Sequence, residues 1–201
     1  MAAGRHLNEA GARAEILRYG ELAWARGLVF GTSGNLSYRL ADGSVLVTPT
    51  ARALRGLAAA DLAHVDADGA PLGNGPRATS ELPLHLAAYR ARPEMRCVLH
   101  THPTHCIVWS KTGRLFALDT VGARESLGTI AHTPYHPPGS QELAACCARA
   151  FAAGSDSVVM QDHGLTSLGI TCEEAFVRTD LAEECARLSV LGALFEAARR
   201  P

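Results

Sequence analysis

With 201 residues, 47% of them apolar and 19% charged, the chain has the length for one domain with a real core. Its formal net charge of -1 gives no electrostatic basis for binding nucleic acid or an acidic membrane, and no apolar run approaches the ~20 residues that span a bilayer. Residues 1–13 lack the apolar segment of a secretion signal, and the cysteines at 97, 106, 146, 147, 172 and 185 form no CxxC pair, so reduced thiols and a cytoplasmic location are expected.

Asn8 is placed to cap a helix running to about Arg26, with Gly27 as its stop; Ile16, Leu17, Tyr19, Ala23 and Trp24 give it a loose apolar face. The small, polar stretch from Gly31 to Asn35 leads into an alternating strand over Leu36 to Leu40. Asp42-Gly43 signals a hairpin, and Val45 to Val47 reads as the returning strand, closing on Thr48-Pro49-Thr50. A short element starts near Asp61 and a second turn falls at Asp68-Gly69. Thr79 or Ser80 is expected to cap a helix ending near Arg92-Pro93, with Glu81 in its first turn and Pro83 tolerated there. The run Arg96 to Leu99 reads as a buried strand, followed by a helix that Pro103 opens and Gly113 ends. Strands are expected over Leu115 to Leu118 and Thr129 to Thr133, then a rigid loop over Pro134 to Gly139 and a helix from Ser140 to Gly154. Ser157 to Met160 reads as a buried strand that delivers His163, and Thr171 with Glu174 forms a capping box for a helix reaching almost to the C-terminus. Strands joined by hairpins or single helices imply a mixed α/β domain, and the turn signals at 41–43 and 67–69 favour antiparallel pairing.

The chemistry gathers around Leu99-His100-Thr101-His102-Pro103. Side chains alternate across a strand, so His100 and His102 face the same way and can share one metal ion. His163, before a glycine, and the upstream Glu81 complete a set of three imidazoles and a carboxylate that suits zinc or a similar divalent ion. No compact spacing such as HExxH occurs, so spacing by itself leaves the site open. Of 19 basic residues only Lys111 is a lysine, at what reads as an exposed helix end; a Schiff-base enzyme would have to use it. His85, one turn after Glu81, reads equally as a support to the site or as a packed helix residue. His105 reads as structural, and His64, His132 and His136 as surface or packing residues.

The ordered set Gly34-Asn35-Leu36-Ser37, Thr48-Pro49-Thr50, Thr79-Ser80-Glu81, His100-Thr101-His102 and Gln161-Asp162-His163-Gly164, with Pro134-Tyr135 and Gly139-Ser140, resembles the class II aldolase/adducin family over roughly residues 10 to 195. The resemblance implies a single domain over 1–201, a three-layer α/β/α sandwich around a mixed, mostly antiparallel sheet. It implies Zn2+, or another divalent metal such as Mn2+ or Co2+, held by His100, His102 and His163, with Glu81 a ligand at rest and an acid/base in turnover. It places a phosphate pocket on Asn35, Thr50, Ala51, Thr79 and Ser80. The implied reaction is retro-aldol cleavage of a small sugar phosphate through a zinc-stabilised enediolate, in a homo-oligomer, expected to be a tetramer. The lone lysine agrees, because an enzyme without a Schiff-base lysine needs a metal as its electron sink.

The chain departs from the family pattern in places. Alanine stands at 51 and threonine at 79 where many relatives carry glycine and serine. Thr120 falls where sugar-phosphate aldolases of the family carry a proton-donating tyrosine, and the family's tyrosine-bearing tail is missing. The first two changes are mild; the two tyrosine losses bear on the aldehyde half of an aldolase reaction and fit a decarboxylase of the 3-oxo-tetronate 4-phosphate type, which passes through the same enediolate. A non-catalytic, adducin-like interaction domain is the alternative from a different class.

Overall fold

In the computed structural model of the chain, residues 7–118 and 120–199 are described; the ends of the expected domain, 1–6 and 200–201, lie outside them. Helix α1 (Glu9–Ala25) starts where Asn8 accepts the Gly11 amide at 2.9 Å and stops before Gly27. Strands β1 (Asn35–Arg39) and β2 (Val45–Val47) form the expected hairpin, and β3 (Ala63–Val65) follows a single 3-10 turn over Ala59–Asp61. Helix α2 (Leu82–Ala91) precedes β4 (Cys97–Thr101), and α3 (Thr104–Ser110) follows it at once. The second half runs α4 (Val121–Ser126), β5 (Ile130–Thr133), α5 (Gln141–Ala152), β6 (Ser157–Met160), β7 (Gly164–Gly169) and the long α6 (Cys172–Ala198).

The seven strands form one sheet in the order β3-β2-β1-β4-β7-β6-β5. Only β5 with β6 is parallel among the described pairings; the others are antiparallel. Strand alternation divides the core in two. On one face Val45, Val47, Val98, Val158, Met160 and Leu168 pack under α2 and α5. On the other, Leu36, Tyr38, Leu46, Cys97 and Leu99 meet α1 and the start of α6, while Val159 and Leu165 meet α3, α4 and the middle of α6. This is the α/β/α layering expected of a sheet buried on both sides. The central strand β4 pairs with β1 and β7, and it carries His100 on the face that α2 covers.

Several expectations need correction. Leu115 to Leu118 is not a strand: the segment runs irregularly, Phe116 is buried in the cluster with α6, and the Ala117 amide donates to Ser189 Oγ at 3.2 Å instead of a neighbouring strand. Helix α4, with Thr120 as its cap, and strand β7 were not among the expected elements. At the start of α2, neither Thr79 nor Ser80 is the cap: Glu81 holds the N-cap position without capping through its side chain, and Thr79 Oγ1 accepts the Glu81 amide at 3.2 Å just upstream. At α6, Thr171 caps as expected, but the Glu174 carboxylate accepts from Ile170, one residue before the cap. The cysteines are free thiols, five of them buried. No helix among the described residues is long and apolar enough to cross a membrane.

Candidate active site

Three elements carry the histidines. β4 ends by turning His100 toward α2, the chain continues to His102, and the three-residue connection between β6 and β7 supplies His163. Asp162 takes φ of 56°, a left-handed conformation that aspartate tolerates, and its amide donates to Ser110 Oγ at 3.0 Å. Gly164 is required by close approach: a Cβ there would stand 2.2 Å from the Thr101 carbonyl oxygen and 3.2 Å from His102 Cδ2. Glycine thus lets β7 begin hard against the end of β4, which brings His163 to the other two imidazoles.

The three rings sit edge to face with centroids 4.9–5.1 Å apart, and one ligating atom from each lies within 4.8 Å of the others. His100 Nε2 and His102 Nε2 are 3.0 Å apart. Tetrahedral zinc, with bonds of 2.0–2.1 Å, would hold such nitrogens about 3.3 Å apart. His100 Nδ1 faces Thr166 Oγ1 at 3.1 Å on β7, which fixes the ring and leaves Nε2 for the cavity. His163 Nδ1 is buried with no hydrogen-bond partner, and so is Glu81 Oε2. Two orphaned buried groups beside two convergent nitrogens form a donor set that a divalent cation would satisfy. Burial lowers the pKa of all three histidines: His100 well down, with its two neighbours adding to the effect, His102 down, and His163 to about 4. Neutral imidazole is the form that ligates. Glu81 stands outside the tight triad but lines the same cavity; burial raises its pKa, and the Gly139 amide partly offsets this.

That cavity has a volume of about 430 Å³. His100, His102, His163 and Glu81 line one part of it. Asn35, Thr50, Ala51, Thr79 and Ser80, expected on resemblance, line it as well. Asn35 arrives opposite His100 because the two are register partners on β1 and β4. Ahead of it, Gly34 has φ of 79°, and a Cβ there would fall 2.3 Å from Val29 Cγ1. Ala51 has φ of 56°, a left-handed conformation that glycine adopts without strain. Thr32, Ser33, Ile107, Pro138 and Asp162 also line the cavity; sequence reasoning assigned them no role, although the Gly31–Asn35 segment contains the first two and the motif around His163 contains Asp162.

Residues 14–190 match the profile of the Class II Aldolase and Adducin N-terminal domain. The chain belongs to the class II aldolase and adducin family. It is 34% identical over 175 residues to an L-fuculose phosphate aldolase of Methanococcus vannielii, covering 87% of this chain and 93% of that one. It is 32% identical over 181 residues to a 3-oxo-tetronate 4-phosphate decarboxylase of Escherichia coli, covering 88% of this chain and 84% of that one. Its fold superposes on the crystal structure of an L-fuculose-1-phosphate aldolase from Thermus thermophilus with a TM-score of 0.82 at 26% identity, covering 96% of this chain and 99% of that one.

The other histidines of this family member have separate work. His105 Nδ1 meets Glu183 at 2.7 Å, and that carboxylate also accepts the amides of His105 and Cys106, tying α3 to α6. His64 bonds Ser44 Oγ, and His132 faces the Ser110 carbonyl. Lys111 pairs with Asp162 at 2.7 Å on the exposed side of the site. Arg52 pairs with Asp61 at 3.5 Å and is not among the cavity's lining residues. Thr120 caps α4 by accepting the Ala123 amide, and no tyrosine among the described residues lines the cavity.

Proposed function

We propose that this protein is a metal-dependent carbon–carbon lyase that cleaves a small sugar phosphate by a retro-aldol reaction. Zinc, or manganese or cobalt in its place, would be held by His100, His102 and His163, with Glu81 as a further ligand at rest. The observation that carries this reading is the convergence of three imidazoles, and of a buried carboxylate with one unpartnered oxygen, in one cavity. When bound, the cation supplies a Lewis acid that polarises the substrate carbonyl and takes up the charge left when the neighbouring bond breaks. In cleavage, the hydroxyl of the carbon to be released gives its proton to solvent water, that carbon becomes the aldehyde, and the bonding pair stays on the carbon beside the carbonyl. Glu81, with a pKa raised by burial, delivers the proton to that carbon and removes it in the reverse direction.

A second group of residues in the same cavity suits a phosphate. Asn35, Thr50, Thr79 and Ser80 offer neutral donors, Ala51 a backbone amide, and the start of α2 lies beside them. The names of the relatives, a sugar-phosphate aldolase and a 4-phosphate decarboxylase, support the same substrate class. A second reading is decarboxylation of a phosphorylated 3-oxo acid, which needs no proton donor to a leaving aldehyde. It is favoured by Thr120, whose hydroxyl is committed to capping α4.

The test is a product assay with metal-loaded protein over phosphorylated ketoses and phosphorylated 3-oxo acids. It scores aldehyde, dihydroxyacetone phosphate and carbon dioxide separately, with metal content measured on the same sample. About one metal per chain is expected. Equal yields of aldehyde and ketone phosphate support the lyase, and carbon dioxide without aldehyde supports the second reading. Full metal loading with no product from either series rejects both and leaves an interaction domain.

A further inference from the structure

We infer that His85 is a positioning residue for Asn35: through a buried relay it holds the Asn35 amide so that this wall of the cavity presents hydrogen-bond donors and no acceptor. The inference rests on the phosphate pocket proposed above and identifies what makes that pocket selective.

Asn35 and Ser37 stand two residues apart on β1, so both face α2. His85 and Tyr89 stand four apart on α2, so both face β1. His85 is fully buried between them, with Nε2 2.5 Å from Asn35 Oδ1 and Nδ1 2.6 Å from Ser37 Oγ. Ser37 Oγ is 2.8 Å from the Tyr89 hydroxyl, which also reaches the Arg96 carbonyl at 3.0 Å. Burial brings the pKa of His85 down to about 3, so the ring is neutral and carries a single N–H.

The directions of the bonds follow from counting protons. Asn35 Oδ1 can only accept, so Nε2 carries the hydrogen. Nδ1 must then accept, and the one hydroxyl proton of Ser37 points to it. Ser37 Oγ is left to accept from Tyr89, which shares its proton with the Arg96 carbonyl. Protons therefore run in one direction, from Tyr89 to Ser37 to His85 to Asn35. With Oδ1 occupied from behind, the group Asn35 can offer the cavity is its Nδ2 amide. That group suits a ligand that only accepts, as phosphate oxygens do, over a neutral hydroxyl that must also donate. An amide without His85 behind it is free to turn its carbonyl toward the anion. A histidine present only to fill space would leave phosphate affinity untouched.

The test uses the metal-loaded protein and inorganic phosphate, titrated by 31P NMR. Asn35→Ala is expected to weaken phosphate binding about 10–100-fold, the range for a hydrogen bond to a charged group. His85→Leu should weaken it about 5–20-fold, and His85→Gln, whose amide can donate to Oδ1, should recover to within about 3-fold of wild type. In the Asn35→Ala background, His85→Leu should add less than about 2-fold, because its effect passes through Asn35. Additive losses, or a His85→Leu protein that keeps wild-type affinity while Asn35→Ala loses it, overturn the inference and leave the pocket standing. Phosphate binding that is absent in wild type, or insensitive to Asn35→Ala, rejects the phosphate pocket itself and the inference with it. The 15N shifts of His85 in wild type provide a check that does not depend on any variant folding. The Nε2–H tautomer from about pH 5.5 to about pH 8 is expected, and an Nδ1–H tautomer overturns the relay.

Discussion

Glu81 is built differently from an ordinary surface carboxylate. It holds the N-cap position of α2, where a side chain would normally bond the free amides, yet it makes no capping bond. Its carboxylate is turned into the cavity, one side near the Gly139 amide and Oε2 without a partner. If it moves the proton, Glu81→Gln keeps size and polarity and loses the base. The expected outcome is retention of most metal, because three histidines remain, with kcat down by about 10²–10⁴-fold. Metal stoichiometry and kcat measured on one preparation check this. Near-wild-type kcat with metal retained would remove Glu81 from the chemistry, and parallel loss of both would make it a structural ligand.

Among the elements, the junction of β4 and β7 decides the geometry of the histidines. β7 begins at a point where a residue has no room for Cβ, against the Thr101 carbonyl. Asp162 is held on one side by Ser110 and on the other by Lys111, so the connection before β7 is tethered to the end of α3. Gly164→Ala therefore has to push β7 away from β4 or distort His163. Unfolding in urea should show a loss of about 1–3 kcal/mol, as overpacked sites commonly do. Metal content should fall with it, because His163 and His102 move apart. A Gly164→Ala protein with unchanged stability and full metal would mean that the close approach is not needed.

For the whole molecule, burial of neutral histidines sets a direction for stability against pH. His85 and His163 have folded pKa values of about 3 and about 4, below the 6.5 of an unfolded histidine. Between those limits the unfolded chain binds more protons, so stability is complete above about pH 6.5 and declines as pH falls toward 4 and then 3. Glu81, with its pKa raised, acts in the opposite sense and offsets part of this. Metal-free protein should melt at a lower temperature at pH 5 than at pH 7.5, and bound metal should deepen the difference because acid displaces it. Equal melting temperatures at the two values would show that these rings are not buried neutral in solution. At the same scale, the outer half of α6 leaves Leu188, Leu191, Leu194 and Phe195 exposed, the last two at 62%. Apolar stripes of this kind mark association surfaces, and closed symmetry is common among soluble oligomers. Light scattering at micromolar concentration should give an oligomer, the proposed state being a tetramer, and a fully active monomer would refute it.

The amino-acid sequence by itself determined the ends of most helices and the first hairpin. Asn8, Ser140 and Thr171 cap amides three residues on, and Gly27 and Gly154 take positive φ at helix ends, all bonds or torsions settled within four residues. The nine residues assigned to the site on the motifs and the family resemblance, from Asn35 to His163, all line one cavity. What lies between remote segments was decided only by the tertiary structure. β7 reads Gly-Leu-Thr-Ser-Leu-Gly, with little strand propensity, and it is a strand because β4 and β6 supply hydrogen-bond partners on both sides. Leu115 to Leu118 has the better strand composition and no strand to pair with, so it packs Phe116 beneath α6 instead. His85 could not be sorted between support and packing from its position in a helix. Its role depends on β1 lying across α2, which places Asn35 and Ser37 within hydrogen-bond reach of opposite sides of one imidazole. Local bonds are written in neighbouring residues, whereas the direction of a buried proton relay is set by partners up to 52 residues apart, which meet only when the sheet has formed.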